Sequence, residues 1–193
     1  MTQIEQKYLL SLSRRSIQKY LKDGSLLIIE QDSLPSDFLR DKRGVFVTLT
    51  INNELRGCIG NLEPEKPIYQ AVIDNSLAAA FYDPRFPPLT IPELAKAKIE
   101  ISILGPLKKL QFSAAGQFVN YLKQKKPGIF IKKGFNQATF LPQVWLELPK
   151  PEEFLQQLCL KAGLDRNSWQ DLGLEIYEYE VEKFQEADSK RTG

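Results

Sequence analysis

The stretch Gly44–Gly60, GVFVTLTINNELRGCIG, constrains the fold most, because two runs that alternate apolar and polar or glycine residues flank a central Asn52-Asn53. Period-two alternation buries one face of a strand, and the paired asparagines signal a tight reversal, so the segment reads as a β-hairpin. A three-residue loop of Asn52, Asn53 and Glu54 sets Ile51 opposite Leu55, Leu49 opposite Gly57 and Val47 opposite Ile59, which makes one face wholly apolar or glycine. The other face then gathers Thr48, Thr50, Arg56 and Cys58. A two-residue loop scatters polar and apolar groups over both faces, so the three-residue register is the expectation.

The elements around this hairpin follow from local pattern. Thr2 stands three residues before Glu5, a capping-box spacing, and Ile4, Tyr8, Leu9, Leu12, Ile17, Tyr20 and Leu21 recur at helical intervals up to Asp23-Gly24. Pro67 opens a second helix, whose rows Ile68, Val72, Ser76, Ala80 and Tyr69, Ile73, Leu77, Phe81 mark it as buried. YDPRFPPLT then enforces a stiff, extended loop. AKIEISIL is a half-buried strand, a helix covers Ala114 to Lys123, and GIFIKKGFNQATFLPQVWL is a second hairpin broken at Pro142. Pro151 opens a helix that stops at Ala162-Gly163, and LEIYEYEVEKF reads as one last strand before a frayed end from Asp188 to Gly193.

Helices and mostly antiparallel strands without regular βαβ alternation give an α+β class. The chain, residues 1–193, is expected to be a single domain, with a seam around Gly105 to Ser113 and a smaller lobe around 106–150. At 193 residues and 42% hydrophobic it is long enough for a sizeable core.

Composition excludes chemistry more than it suggests any. The chain contains no histidine, which removes the commonest neutral-pH base and metal ligand and every Cys-His or Ser-His pairing. Its two cysteines lie about a hundred positions apart, so no metal or cofactor is expected, and they read as reduced thiols in a cytoplasmic protein. Lysine plus arginine (26) nearly balances aspartate plus glutamate (24), so no global field draws the chain to nucleic acid, which would need the local patch Lys123, Lys125, Lys126, Lys132 and Lys133. No apolar run approaches the roughly 20 residues of a membrane span, and the charges scattered through MTQIEQKYLLSLSRRSIQKY lead to the expectation of neither a signal peptide nor an anchor there.

LRGCIG (Leu55–Gly60), FYDPRFPPLT, IEISIL, FLPQV and FLQQLCLKAGL occur in the order seen in the AMMECR family, which the chain resembles over nearly its whole length. The resemblance implies an α+β fold of two unequal lobes and, in prokaryotes, association with a MEMO-type protein and a radical SAM enzyme. Many members carry a histidine near the glycine of the second hairpin; this chain has KKPGIF there.

The candidate site joins the LRGCIG strand to the DPRF loop. Cys58 beside Arg56 is a candidate nucleophile or redox thiol, weighed against a buried, inert cysteine. Asp83 is the other candidate reactive group, weighed against an Asp-Pro turn. Arg56, Gly57, Gly60, Arg85 and Phe86 are the candidate ligand-binding residues: two cations, two close backbone approaches and an apolar wall for a small anionic or nucleotide-like ligand. The competing pattern is an internal pair between Arg56 and Asp83 or another acid, with packing glycines. A return of the chain after Phe81 is expected to bring Asp83 within about 6 Å of Arg56, one water-bridged contact. Two classes stay open: an enzyme or enzyme component with this cleft, and a non-catalytic module that recognises protein or RNA. Cys159, on a helix's apolar row, reads as core.

Overall fold

The computed structural model describes residues 1–112, 114–171 and 173–187; the end expected from Asp188 to Gly193 lies outside the described residues. The chain divides into two compact units, one of Met1–Leu104 joined by the chain from Glu182 onward and one of Gly105–Val181.

In the first unit, helix α1 (Gln3–Asp23) starts at a Thr2/Glu5 capping box and ends at Gly24, whose φ of 72° supplies the left-handed cap. The sheet has strand order β2-β1-β3-β8, formed by β2 (Glu54–Asn61), β1 (Val45–Ile51), β3 (Lys98–Leu104) and β8 (Val181–Gln185). Val45, Val47, Leu49, Ile99, Ile101 and Ile103 share a core with Leu9, Leu12 and Ile17 of α1 and with Ile68 and Val72 of helix α2 (Ile68–Phe81). Pro67 is the residue before α2, with extended ψ of 147°, and not its first helical residue.

The second unit holds the sheet β4-β7-β5-β6, made of β4 (Lys108–Leu110), β7 (Glu175–Tyr179), β5 (Gly128–Lys133) and β6 (Asn136–Phe140). Helices α4 (Ala115–Lys125) and α5 (Pro151–Lys161) supply Phe118, Leu122, Phe154 and Leu158 to its core, where Cys159 is fully buried. The final segment corrects the single-strand expectation: it breaks at Glu180, and β7 and β8 enter different sheets. Alternation persists across the break, so the side-chain pattern does not register it.

The first hairpin corrects the loop expectation and keeps half of the register. Asn52 and Asn53 both have positive φ, 54° and 67°, which is a two-residue type I′ turn, so Ile51 pairs with Glu54 and Thr50 with Leu55. A bulge then inserts Arg56, after which Leu49 faces Gly57 and Val47 faces Ile59, as the alternation predicts. The extra residue reconciles a two-residue turn with a one-sided apolar face, at the cost of leaving Leu55 exposed.

Candidate functional site

Strand β2 is the edge of its sheet, so the N–H and C=O of Cys58 point away from β1 with no strand to receive them. The loop after α2 receives them instead. The Cys58 N–H donates to Asp83 Oδ2 at 2.8 Å, and Arg85 Nη2 donates to the Cys58 carbonyl at 3.2 Å. The loop is aimed by a turn in which the Phe86 N–H reaches the Asp83 carbonyl at 3.1 Å, and the Leu89 N–H returns to the Ala80 carbonyl at 2.8 Å.

Asp83 is 3% exposed and its two carboxylate oxygens are both occupied. Oδ1 accepts from Arg85 Nε at 2.9 Å and from the Arg85 N–H at 3.1 Å, while Oδ2 accepts from Arg85 Nη2 at 2.6 Å. The Arg85 guanidinium holds this carboxyl well below the usual range; burial opposes that, and the amides of Cys58 and Arg85 add to it. A carboxylate so held stays ionised and is a poor proton donor.

Arg56, the bulge residue, takes the internal pairing, with an acid other than Asp83. Its Nε donates to Glu93 Oε1 at 2.8 Å, and its Nη2 donates to Glu93 Oε2 at 3.2 Å and to the Pro87 carbonyl at 2.9 Å. Its ion-pair partner is therefore Glu93 and not Asp83, whose fork belongs to Arg85. Glu93 lies on helix α3 (Ile91–Lys96) and also accepts from the Thr90 N–H at 2.9 Å. Arg56 lowers its pKa to about 2, with the Thr90 bonds assisting and burial opposing. Sequence reasoning missed this residue. Its signal was present, because Thr90-x-x-Glu93 has the capping-box spacing at the end of a proline-rich loop.

Phe86 lies within cation–π range of both guanidiniums, 5.8 Å from that of Arg56 and 5.6 Å from that of Arg85. Arg56 Nη1 is buried with no partner among the described residues. The Arg85 side chain is 52% exposed. Cys58 is half-buried, opposite Thr48, whose hydroxyl donates to its sulfur at 3.2 Å.

The structure thus brings Cys58, Asp83, Arg85, Phe86 and Arg56 into one cluster. The two glycines make room on other sides: a Cβ on Gly57 would lie 2.1 Å from the Ala79 carbonyl oxygen of α2, and one on Gly60 would lie 2.3 Å from the Phe46 ring. Among the described residues no group of three or more metal-ligating side chains gathers, and no helix is long and apolar enough to cross a membrane.

The family model described as AMMECR1 matches residues 10–184. Protein MK0488 of Methanopyrus kandleri is 40% identical over 188 residues, covering 95% of this chain and 89% of its own. Protein MJ0810 of Methanocaldococcus jannaschii is 38% identical over 181 residues, covering 92% and 88%. The crystal structure of uncharacterized protein PH0010 from Pyrococcus horikoshii resembles this fold with a TM-score of 0.85 at 34% identity, covering 96% of this chain and 93% of that one.

Proposed function

The chain belongs to the AMMECR1 family, and from that premise we propose that its LRGCIG strand and DPRF loop form a recognition site for a small anionic or nucleotide-like ligand in a cytoplasmic protein. What supports this reading is the Phe86 ring flanked by two guanidiniums, one half-exposed and one with a buried N–H that has no acceptor among the described residues. Arg85 meets the anion, Phe86 supplies an apolar wall beside it, and Arg56 adds positive charge. Cys58 adjoins the bound group as the thiol for any covalent step. A place beside a MEMO-type protein and a radical SAM enzyme is the part of this reading that rests on family resemblance alone.

Calorimetry of the full chain with AMP, ATP, inorganic phosphate and a dicarboxylate tests it. Binding that weakens at least tenfold in Arg85→Ala is expected; no heat with any of the four at millimolar concentration overturns the reading.

A second reading, a non-catalytic module that binds a protein or RNA partner, is favoured by one observation: the donors of Arg56 and the carboxylate of Asp83 are largely consumed by internal partners. Cys58→Ser separates the two, since it removes a thiol reaction but leaves partner binding intact.

A further inference from the structure

A cavity within the second unit gathers three lysines and two glutamates from separate elements. It is an open pocket of about 470 Å³ lined by Pro106, Pro127 and Pro142. That volume is within the range of small-ligand pockets. Lys108 of β4 and Lys125 and Lys126 at the end of α4 line it; Lys108 stands across the β4–β7 ladder from Glu178, and Lys125 and Lys126 form no salt bridge among the described residues. By contrast the neighbouring Lys109 is paired with Glu175 and Lys133 with Asp171.

Two acids, Glu178 and Glu180, share the lining. Glu178 is engaged by the Tyr121 hydroxyl at 2.5 Å, which orients that carboxylate and pushes the tyrosine up to about 12. Three cations against two carboxylates leave the cavity net positive.

The backbone of Lys126 adds an independent observation. It sits at the C-terminal cap of α4 with φ 48° and ψ 46°, the left-handed conformation that glycine adopts freely and that a Cβ makes costly. The other non-glycine residues with positive φ among those described are the turn asparagines Asn52 and Asn53. Complementing the helix dipole explains a lysine in the last turn, such as Lys125. It explains neither Lys108, on a separate strand, nor a lysine at a position where glycine would be less strained.

We infer that this cavity binds a small molecule carrying a phosphate or polyphosphate group, held by Lys108, Lys125 and Lys126 with its body against the proline walls. The site is separate from the Arg85 surface and does not rest on the reading given for it. Lysine ammonium groups suit phosphate as point charges, and a polyphosphate offers several anionic groups to lysines carried by two different elements.

The test titrates pyrophosphate and ATP into the full chain by calorimetry at low and at physiological salt, for wild type, Lys126→Gly, Lys108→Ala with Lys125→Ala, and Arg85→Ala. Expected are salt-sensitive pyrophosphate binding to wild type, at least fivefold weaker pyrophosphate binding in both lysine variants, and unchanged pyrophosphate binding in Arg85→Ala. Lys126→Gly is also expected to raise the thermal midpoint by about 1–3 °C, so its weaker binding would not be a folding defect. No pyrophosphate binding at 10 mM (roughly the upper end of weak affinity), or equal affinity in wild type and lysine variants, overturns the inference. Loss only in Arg85→Ala assigns the anion to the other site and overturns it as well.

Discussion

The Asp83 carboxylate accepts the backbone N–H of Cys58 at 2.8 Å, so a side chain from the loop after α2 caps the open edge of the sheet's terminal strand. Arg85 completes the cap on the adjacent carbonyl while its guanidinium neutralises the acid that holds it. Edge protection and charge clustering are therefore one feature, and several measurements can separate its parts.

Stability should fall in acid through this cluster. The folded-state pKa values of Asp83 and Glu93 both lie below their unfolded values, so the two pairs stabilise the chain fully above about pH 4.5 and lose that contribution as pH drops toward 2. Urea unfolding followed by circular dichroism from pH 7 to 2 should show this decline, flattened in Asp83→Asn combined with Glu93→Gln. An equally steep decline in the double variant would show that other groups carry it.

Replacing Arg56 by Ala should cost about 1–3 kcal/mol, because it orphans the Pro87 carbonyl and leaves Glu93 to rehydrate. Arg56→Lys should recover less than half of that, since one ammonium cannot span both Glu93 oxygens in a fork and also reach Pro87. Denaturant midpoints of the two variants check the order; equal recovery by lysine would mean that charge alone matters.

Two glycine substitutions should move stability in opposite directions. Gly57→Ala forces a methyl into the Ala79 carbonyl of α2, where only backbone can give way, and should destabilise by about 1–3 kcal/mol or more. Gly116→Ala, in the first turn of α4 with nothing within 4 Å of the added carbon, should stabilise by roughly 0.5–1 kcal/mol. Thermal melts of both variants suffice.

Thiol labelling should be biphasic. Cys58 is half-buried and should react in the folded protein, whereas Cys159 is fully buried, with its thiol pushed up by that burial, and should react only on unfolding. An aromatic disulfide reagent should therefore release about one equivalent rapidly, and Cys58→Ser should abolish that phase. Two fast equivalents would show that the α5 core opens readily.

The sequence by itself determined the elements whose cause is local. The Thr2/Glu5 box and Gly24 delimit α1, alternation puts Ile99, Ile101 and Ile103 of β3 inside, and the lack of histidine removes imidazole chemistry without reference to any fold. The expectation that the chain returns after Phe81 also set the DPRF loop against the Cys58 strand. Only the tertiary structure decided that Arg56 bonds to Glu93, 37 residues away, that Asp83 is spent on Arg85 and the Cys58 amide, and that Glu180 sends β7 and β8 into separate sheets. The reason is physical. Periodicity reports which face of a segment is buried, and a one-residue bulge at Arg56 or a break that preserves alternation leaves that record nearly unchanged. Ion pairing instead depends on distance through space, where several carboxylates compete for one guanidinium, and the winner is set by where the backbone brings them.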